Sequence, residues 1–189
     1  MTQKTPLIGF LCGSLRKGSI NKKLEIALTE KVKTQGASLG VQTREINLSD
    51  YDLPLYHGDL AKPQGVDQLI ADMKSCDGII ITSPEYNGSL PPVLKNAIDW
   101  TSTVTMDHFS KPVFGIASCS PGAMSGIMGL RELAYILTRL GGNLVPIQLG
   151  VGHADSAFTK DGALSSQEIN ARAEAMISHM LDRIKNTHL

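Results

Sequence analysis

An excess of charge of either sign is missing from this chain. Lysine plus arginine and aspartate plus glutamate number 18 each, so the net charge is zero with histidine neutral. A nucleic-acid or anionic-membrane partner would leave a basic surplus, and neither partner is expected. The same balance disfavours an acidic electron shuttle, which steers docking through a strong field. Cysteine is also scarce. The three that occur, Cys12, Cys76 and Cys119, are widely separated and show neither metal-ligand nor redox-pair spacing. A reducing, cytoplasmic setting is the simplest expectation.

Long apolar runs are absent too. Nothing approaches the roughly 20 apolar residues of a membrane span. The run Leu7-Ile8-Gly9-Phe10-Leu11-Cys12 is too short for a signal-peptide core, and Gly-Ser-Leu-Arg-Lys follows it where a cleavage site would stand. No repeat, low-complexity tract or linker divides the sequence. The 189 residues read as one domain, 1–189, long enough to bury roughly 70% of the unfolded surface. The five histidines, His57, His108, His153, His179 and His188, lack metal-ligand spacing, and no metal is expected. His57, His108 and His153 fall on predicted loops.

What is present is a strand, a polar loop and a helix. The run Leu7 to Cys12 has strand length. Beyond it, Ile20, Leu24, Ala27 and Leu28 recur at three and four residues, the stripe of an amphipathic helix. Ser19 stands where an N-cap hydroxyl would accept a free backbone N–H. The intervening Gly13-Ser14-Leu15-Arg16-Lys17-Gly18 suits an anion, because a helix's first turn offers unpaired N–H groups and partial positive charge. The spacing Gly13-x4-Gly18 resembles a nucleoside triphosphate loop but lacks its Lys-Ser/Thr ending, and no Gly-x-Gly-x-x-Gly fingerprint occurs. A single terminal phosphate, as in FMN, fits what remains. A polar turn without a ligand is the plain alternative.

Further along, an edge strand is predicted over Val41 to Leu48, then a helix carrying Val66, Leu69, Ile70 and Met73, then a central strand at Ile79-Ile80-Ile81. A helix follows from Pro92, with Leu94, Ala97, Ile98 and Thr101 on one face. Met106 to Ser110 reads as a connection. Pro112 to Ser118 forms the fourth strand, the Leu130, Leu133, Ala134, Leu137 stripe a helix, and Leu144 to Leu149 the fifth strand. Ile169, Ala173, Met176, Ile177, Met180 and Ile184 mark the last helix. Five strand–helix alternations imply a parallel sheet covered on both faces, with ligands beyond the strands' C-terminal ends.

The loop Thr82 to Pro92 carries a planar aromatic, an amide and a glycine between prolines. Such a loop can hold a flat ring against backbone donors, or simply be a rigid entry to a helix.

Two stretches, Gly13-Ser14-Leu15-Arg16-Lys17-Gly18-Ser19-Ile20-Asn21 and Ser83-Pro84-Glu85-Tyr86-Asn87-Gly88-Ser89-Leu90-Pro91-Pro92-Val93-Leu94-Lys95-Asn96-Ala97-Ile98-Asp99-Trp100, together resemble the NAD(P)H-dependent FMN reductases and quinone reductases. The likeness runs more weakly from about Pro6 to the last helix. The resemblance implies a flavodoxin-like three-layer α/β sandwich, with a five-stranded parallel sheet ordered 2-1-3-4-5 and helices on both faces. It implies FMN held at its phosphate by Ser14, Arg16, Ser19 and Asn21, with Ile20 also among the cofactor-binding residues. Pro84, Glu85, Tyr86, Asn87 and Gly88 would surround the ring, largely through backbone groups, with Ser118 and Ser120 as flavin neighbours.

It implies NADPH or NADH as co-substrate, a small-molecule electron acceptor such as a quinone, flavin, azo dye or metal oxyanion, and a homodimer or homotetramer. The third loop departs from the family, with Ser125-Gly126 where Gly-Gly is common and Ala134 near the place of an arginine. Trp100, Met106 and Phe109 are apolar enough for a subunit contact, ordinary core packing being the alternative. No side-chain acid or base is assigned, since a flavin itself carries hydride chemistry. A flavin-binding electron carrier and a ligand-sensing module without turnover are the competing readings.

Overall fold

The computed structural model describes residues 5–187. Short hydrophobic segments form a parallel sheet: β1 Leu7–Cys12, β2 Gln42–Ile46, β3 Gly78–Thr82, β4 Val113–Cys119, β5 Asn143–Leu144 and β6 Leu149–Val151. The spatial order is β2-β1-β3-β4-β5, with β6 pairing the far end of β4. The flavodoxin-like architecture is therefore present. One detail differs from expectation: the fifth strand is two short pieces. Pro146 has no N–H to donate and interrupts the ladder between them. β3 and β4 are buried along their whole length, as β-branched central strands covered on both faces must be. At the edge, β2 has one buried residue, Ile46, and its Arg44 pairs with Asp72 at 2.9 Å.

Among the described residues six α-helices cover the sheet: α1 Ile20–Gln35, α2 Gln64–Ser75, α3 Pro92–Ser102, α4 Asp107–Ser110, α5 Ile127–Arg139 and α6 Gln167–Thr187. Two cores result. On one face Leu24, Leu28 and Val32 of α1 meet Met176, Ile177 and Met180 of α6 against Ile8, Phe10 and Ile80. On the other, Leu69 and Met73, Leu94 and Ile98, and Leu133 and Leu137 close over Ile79, Ile81, Phe114 and Ile116.

The segment read as a connection at Met106 to Ser110 contains α4, which turns His108 and Phe109 into the core. Trp100 and Phe109 are likewise buried, so of the three candidate subunit-contact residues only Met106 reaches the surface. Trp100 donates from Nε1 to the Pro54 carbonyl at 2.7 Å and meets Tyr56 edge-on, pinning the loop after β2 onto α3. Among the described residues no helix is long and apolar enough to cross a membrane.

Candidate functional site

Parallel strands in register end at one edge, and three loops leave from there. Cys12 lies opposite Thr82, and Thr82 opposite Ala117. One further bond each keeps the loops together as they depart: Gly13 N to Thr82 O at 2.8 Å, Ser83 N to Ala117 O at 2.9 Å, and Ser120 N to Val151 O at 3.0 Å.

The first loop delivers the chain into α1. Ser19 is the N-cap as expected: its Oγ accepts from Lys22 N at 3.4 Å, and the residue is buried. Ser14 Oγ accepts from Arg16 N at 3.4 Å. Among the described residues nothing accepts from the backbone N–H groups of Leu15, Lys17, Gly18 and Ile20. Exposed Arg16 forms no ion pair among them either. Lys22, by contrast, is spent. Its ammonium lies between Glu25 and Glu45, and although burial alone would lower its pKa, these two partners leave it raised. Burial in turn raises the carboxyl of Glu25. A cleft of about 230 Å³ runs past Ser14, Leu15, Arg16, Glu45 and Asn47.

Asn21 has a different task from the other phosphate-loop residues. Its side chain is buried and makes two bonds to the backbone of one residue: Nδ2 donates to Cys119 O and Oδ1 accepts from Cys119 N, each at 2.9 Å. It staples the start of α1 to the end of β4, leaving only its backbone N–H for a ligand. Cys12 and Cys119 are small buried fillers at strand ends. Burial raises both thiols, that of Cys119 to about 11, so neither is a thiolate at neutral pH.

In the second loop, Tyr86 and Ser89 exchange backbone bonds of 3.0 and 3.1 Å around Asn87 and Gly88. Those two have φ of +53° and +79°, the pair of left-handed residues that an Asn-Gly tight turn supplies. Their own N–H groups have no acceptor among the described residues, and Tyr86 is half exposed beside them. Pro84 is half-buried, its carbonyl accepting from Ser83 Oγ at 3.0 Å. Glu85 belongs to the turn by sequence, yet its carboxylate reaches away. Oε2 accepts from Met128 N at 2.8 Å and Gly129 N at 3.0 Å in the first turn of α5.

The third loop begins at Ser118, which is buried with its Oγ unpartnered, and Ser120, whose Oγ donates to Gly122 O at 3.1 Å. An unmet buried hydroxyl costs about 1–3 kcal/mol unless something completes it. Ser125 and Gly126 both take left-handed φ, +58° and +72°. No group of three or more potential metal ligands occurs among the described residues.

The site is thus an arc of free backbone donors. Five lie at the opening of α1, that of Asn21 included, and two on the Asn87-Gly88 turn, with one unpaired guanidinium beside them. This donor set fits a flat, hydrogen-bond-accepting ring carrying a terminal phosphate. The sequence missed Glu132, which accepts from Leu90 N at 3.0 Å, and the true task of Glu85. A signal existed in a helix opening on Gly126 with no acidic residue in its first turn.

Fold and site together define a class, the flavin-dependent oxidoreductases built on a flavodoxin-like sheet. Residues 6–156 match the family model of the NADPH-dependent FMN reductases, and the chain belongs to that family. It is 37% identical over 145 residues to a quinone reductase of Escherichia coli (strain K12), covering 74% of this chain and 73% of that one. With an NAD(P)H-dependent FMN reductase of Pseudomonas aeruginosa it shares 28% identity over 181 residues, 93% and 91% of the two chains. Among solved structures it resembles FerB, a flavoenzyme NAD(P)H:(acceptor) oxidoreductase from Paracoccus denitrificans. There the TM-score is 0.79 and the identity 25%, with 96% and 98% of the chains covered. The family's cofactor is FMN and its reductant NAD(P)H.

Proposed function

We propose that this enzyme oxidises NADPH or NADH and reduces a quinone or a similar planar acceptor by alternating occupancy of one cleft. FMN, when bound, supplies the hydride and electron chemistry. The protein's part is to seat, orient and polarise. Backbone N–H groups of Leu15, Lys17, Gly18 and Ile20, the Ser14 and Ser19 hydroxyls and the Arg16 guanidinium take the terminal phosphate. The Asn87 and Gly88 amides would serve the ring's carbonyls and nitrogens, where fixed donors favour the electron-rich reduced state. Tyr86 flanks the ring with an apolar face. NAD(P)H would enter, give up a hydride and leave oxidised; the acceptor would then take its place and leave with the hydride's two electrons and one proton and a second proton from solvent. No side chain of the site is needed as acid or base.

The observation carrying this reading is the set of unpaired backbone donors at the α1 opening beside the Asn87-Gly88 turn. Anaerobic mixing of protein, FMN and NADPH tests it. Bleaching of the flavin's visible band is expected, and its persistence overturns enzymatic reduction in favour of an electron carrier. Reciprocal initial-rate plots at several quinone concentrations should be parallel; intersecting lines overturn the alternating order. We further infer a cytoplasmic homodimer or homotetramer, which the buried reduced cysteines and the exposed apolar side chains of Met106, Met124 and Tyr135 support.

A further inference from the structure

We propose that Glu85 and Glu132 form a reciprocal clasp through which α5 holds the Asn87-Gly88 turn, making Glu85 a positioning residue that does not itself touch the cofactor. The inference rests on FMN binding at this turn. A helix opens with free N–H groups and partial positive charge, normally met by a side chain at the N-cap. α5 has no such cap, because Gly126 stands there and no acidic residue follows in the first turn. No capping serine or aspartate could replace Gly126: its φ is +72°, and an added Cβ would lie 2.0 Å from Ser118 Oγ.

The cap comes instead from 43 residues earlier in sequence, as Glu85 Oε2 receives Met128 N and Gly129 N. Gly129 admits it closely, since a Cβ there would stand 3.3 Å from that of Glu85. Just beyond the first turn the direction reverses: Glu132 accepts from Leu90 N at 3.0 Å.

The two anchors bracket the turn. Residue 85 is tied to α5 on one side and residue 90 on the other, and the four residues between them are the turn that presents the Asn87 and Gly88 amides. Asn and Gly take the left-handed pair readily, so the clasp fixes where the turn stands against α5 and leaves its internal conformation to the two residues themselves. Because α5 also begins where the third loop ends, the same bonds fix that loop against the second. A preformed ring site pays less ordering entropy on binding.

The test uses the full-length protein and its Glu85→Gln and Glu132→Gln variants, which keep side-chain size and remove the charge. FMN affinity is titrated, and visible circular dichroism of bound FMN recorded, at a temperature where far-ultraviolet spectra show each protein folded. E85Q should weaken FMN about tenfold and E132Q several-fold, with an altered flavin dichroism in both. Lower thermal midpoints with unchanged affinity and unchanged dichroism overturn the clasp and leave a purely structural cap. Should E85Q fail to fold, E132Q decides by the same readouts, its carboxylate lying on α5 outside the proposed ring contacts. Failure of the unsubstituted protein to bind FMN saturably overturns the flavin reading and the clasp together, whereas normal binding by both variants overturns the clasp alone.

Discussion

Arg16 stands exposed at the α1 opening without an ion pair among the described residues, while Lys22, in the helix's first turn, is neutralised by Glu25 and Glu45. The loop therefore offers its charge through Arg16, and a guanidinium meets a phosphate with two parallel N–H donors. Arg16→Ala should weaken FMN by about 1.5 kcal/mol, roughly tenfold, the low end for a charged hydrogen bond because the site is wet. Fluorescence titration checks it, and unchanged affinity removes Arg16 from the phosphate site. The cap at Ser19 was legible in the sequence, because capping propensity acts within a few residues. The task of Asn21 was legible only in part: its polarity suggested a ligand, but its partner, Cys119, lies 98 positions away.

α4 shows how a single helical turn changes a residue's chemistry. It carries His108 into the core beside Phe109, with neither ring nitrogen hydrogen-bonded. Burial lowers the imidazole from 6.5 to about 4, opposed by nearby Asp107 and assisted by Lys74. Folded His108 is thus neutral where an unfolded chain begins to bind a proton. Stability is unaffected above pH 6.5 and is lost as the pH falls from 6.5 towards about 4, by an amount on the order of 2–3 kcal/mol. Urea midpoints across that range should fall for the native protein. His108→Leu should flatten that component, and an unaltered slope would assign it to other groups. The same element-level view explains the divided fifth strand, where Pro146 overrode an otherwise continuous apolar stretch.

At the scale of the molecule, every segment of the proposed site belongs to the C-terminal edge of β1, β3 and β4, so the sheet order sets the site before any side chain is considered. The exposed Met106, Met124, Met128 and Tyr135 leave apolar surface that a second subunit would cover. Sedimentation equilibrium should give two or four times the 20.3 kDa chain mass. A mass of one chain would refute the homo-oligomer.

The alternation of strand and helix, the parallel sheet and the cap at Ser19 follow from the chain's local preferences, because periodicity and capping act within a few residues. The folded arrangement alone binds helix and loop to each other through Glu85 and Glu132, staples α1 to β4 through Asn21, and puts His108, Trp100 and Phe109 inside. Those facts depend on which distant backbone groups lack partners once the sheet has closed, and a buried polar group takes whatever partner the fold brings within reach.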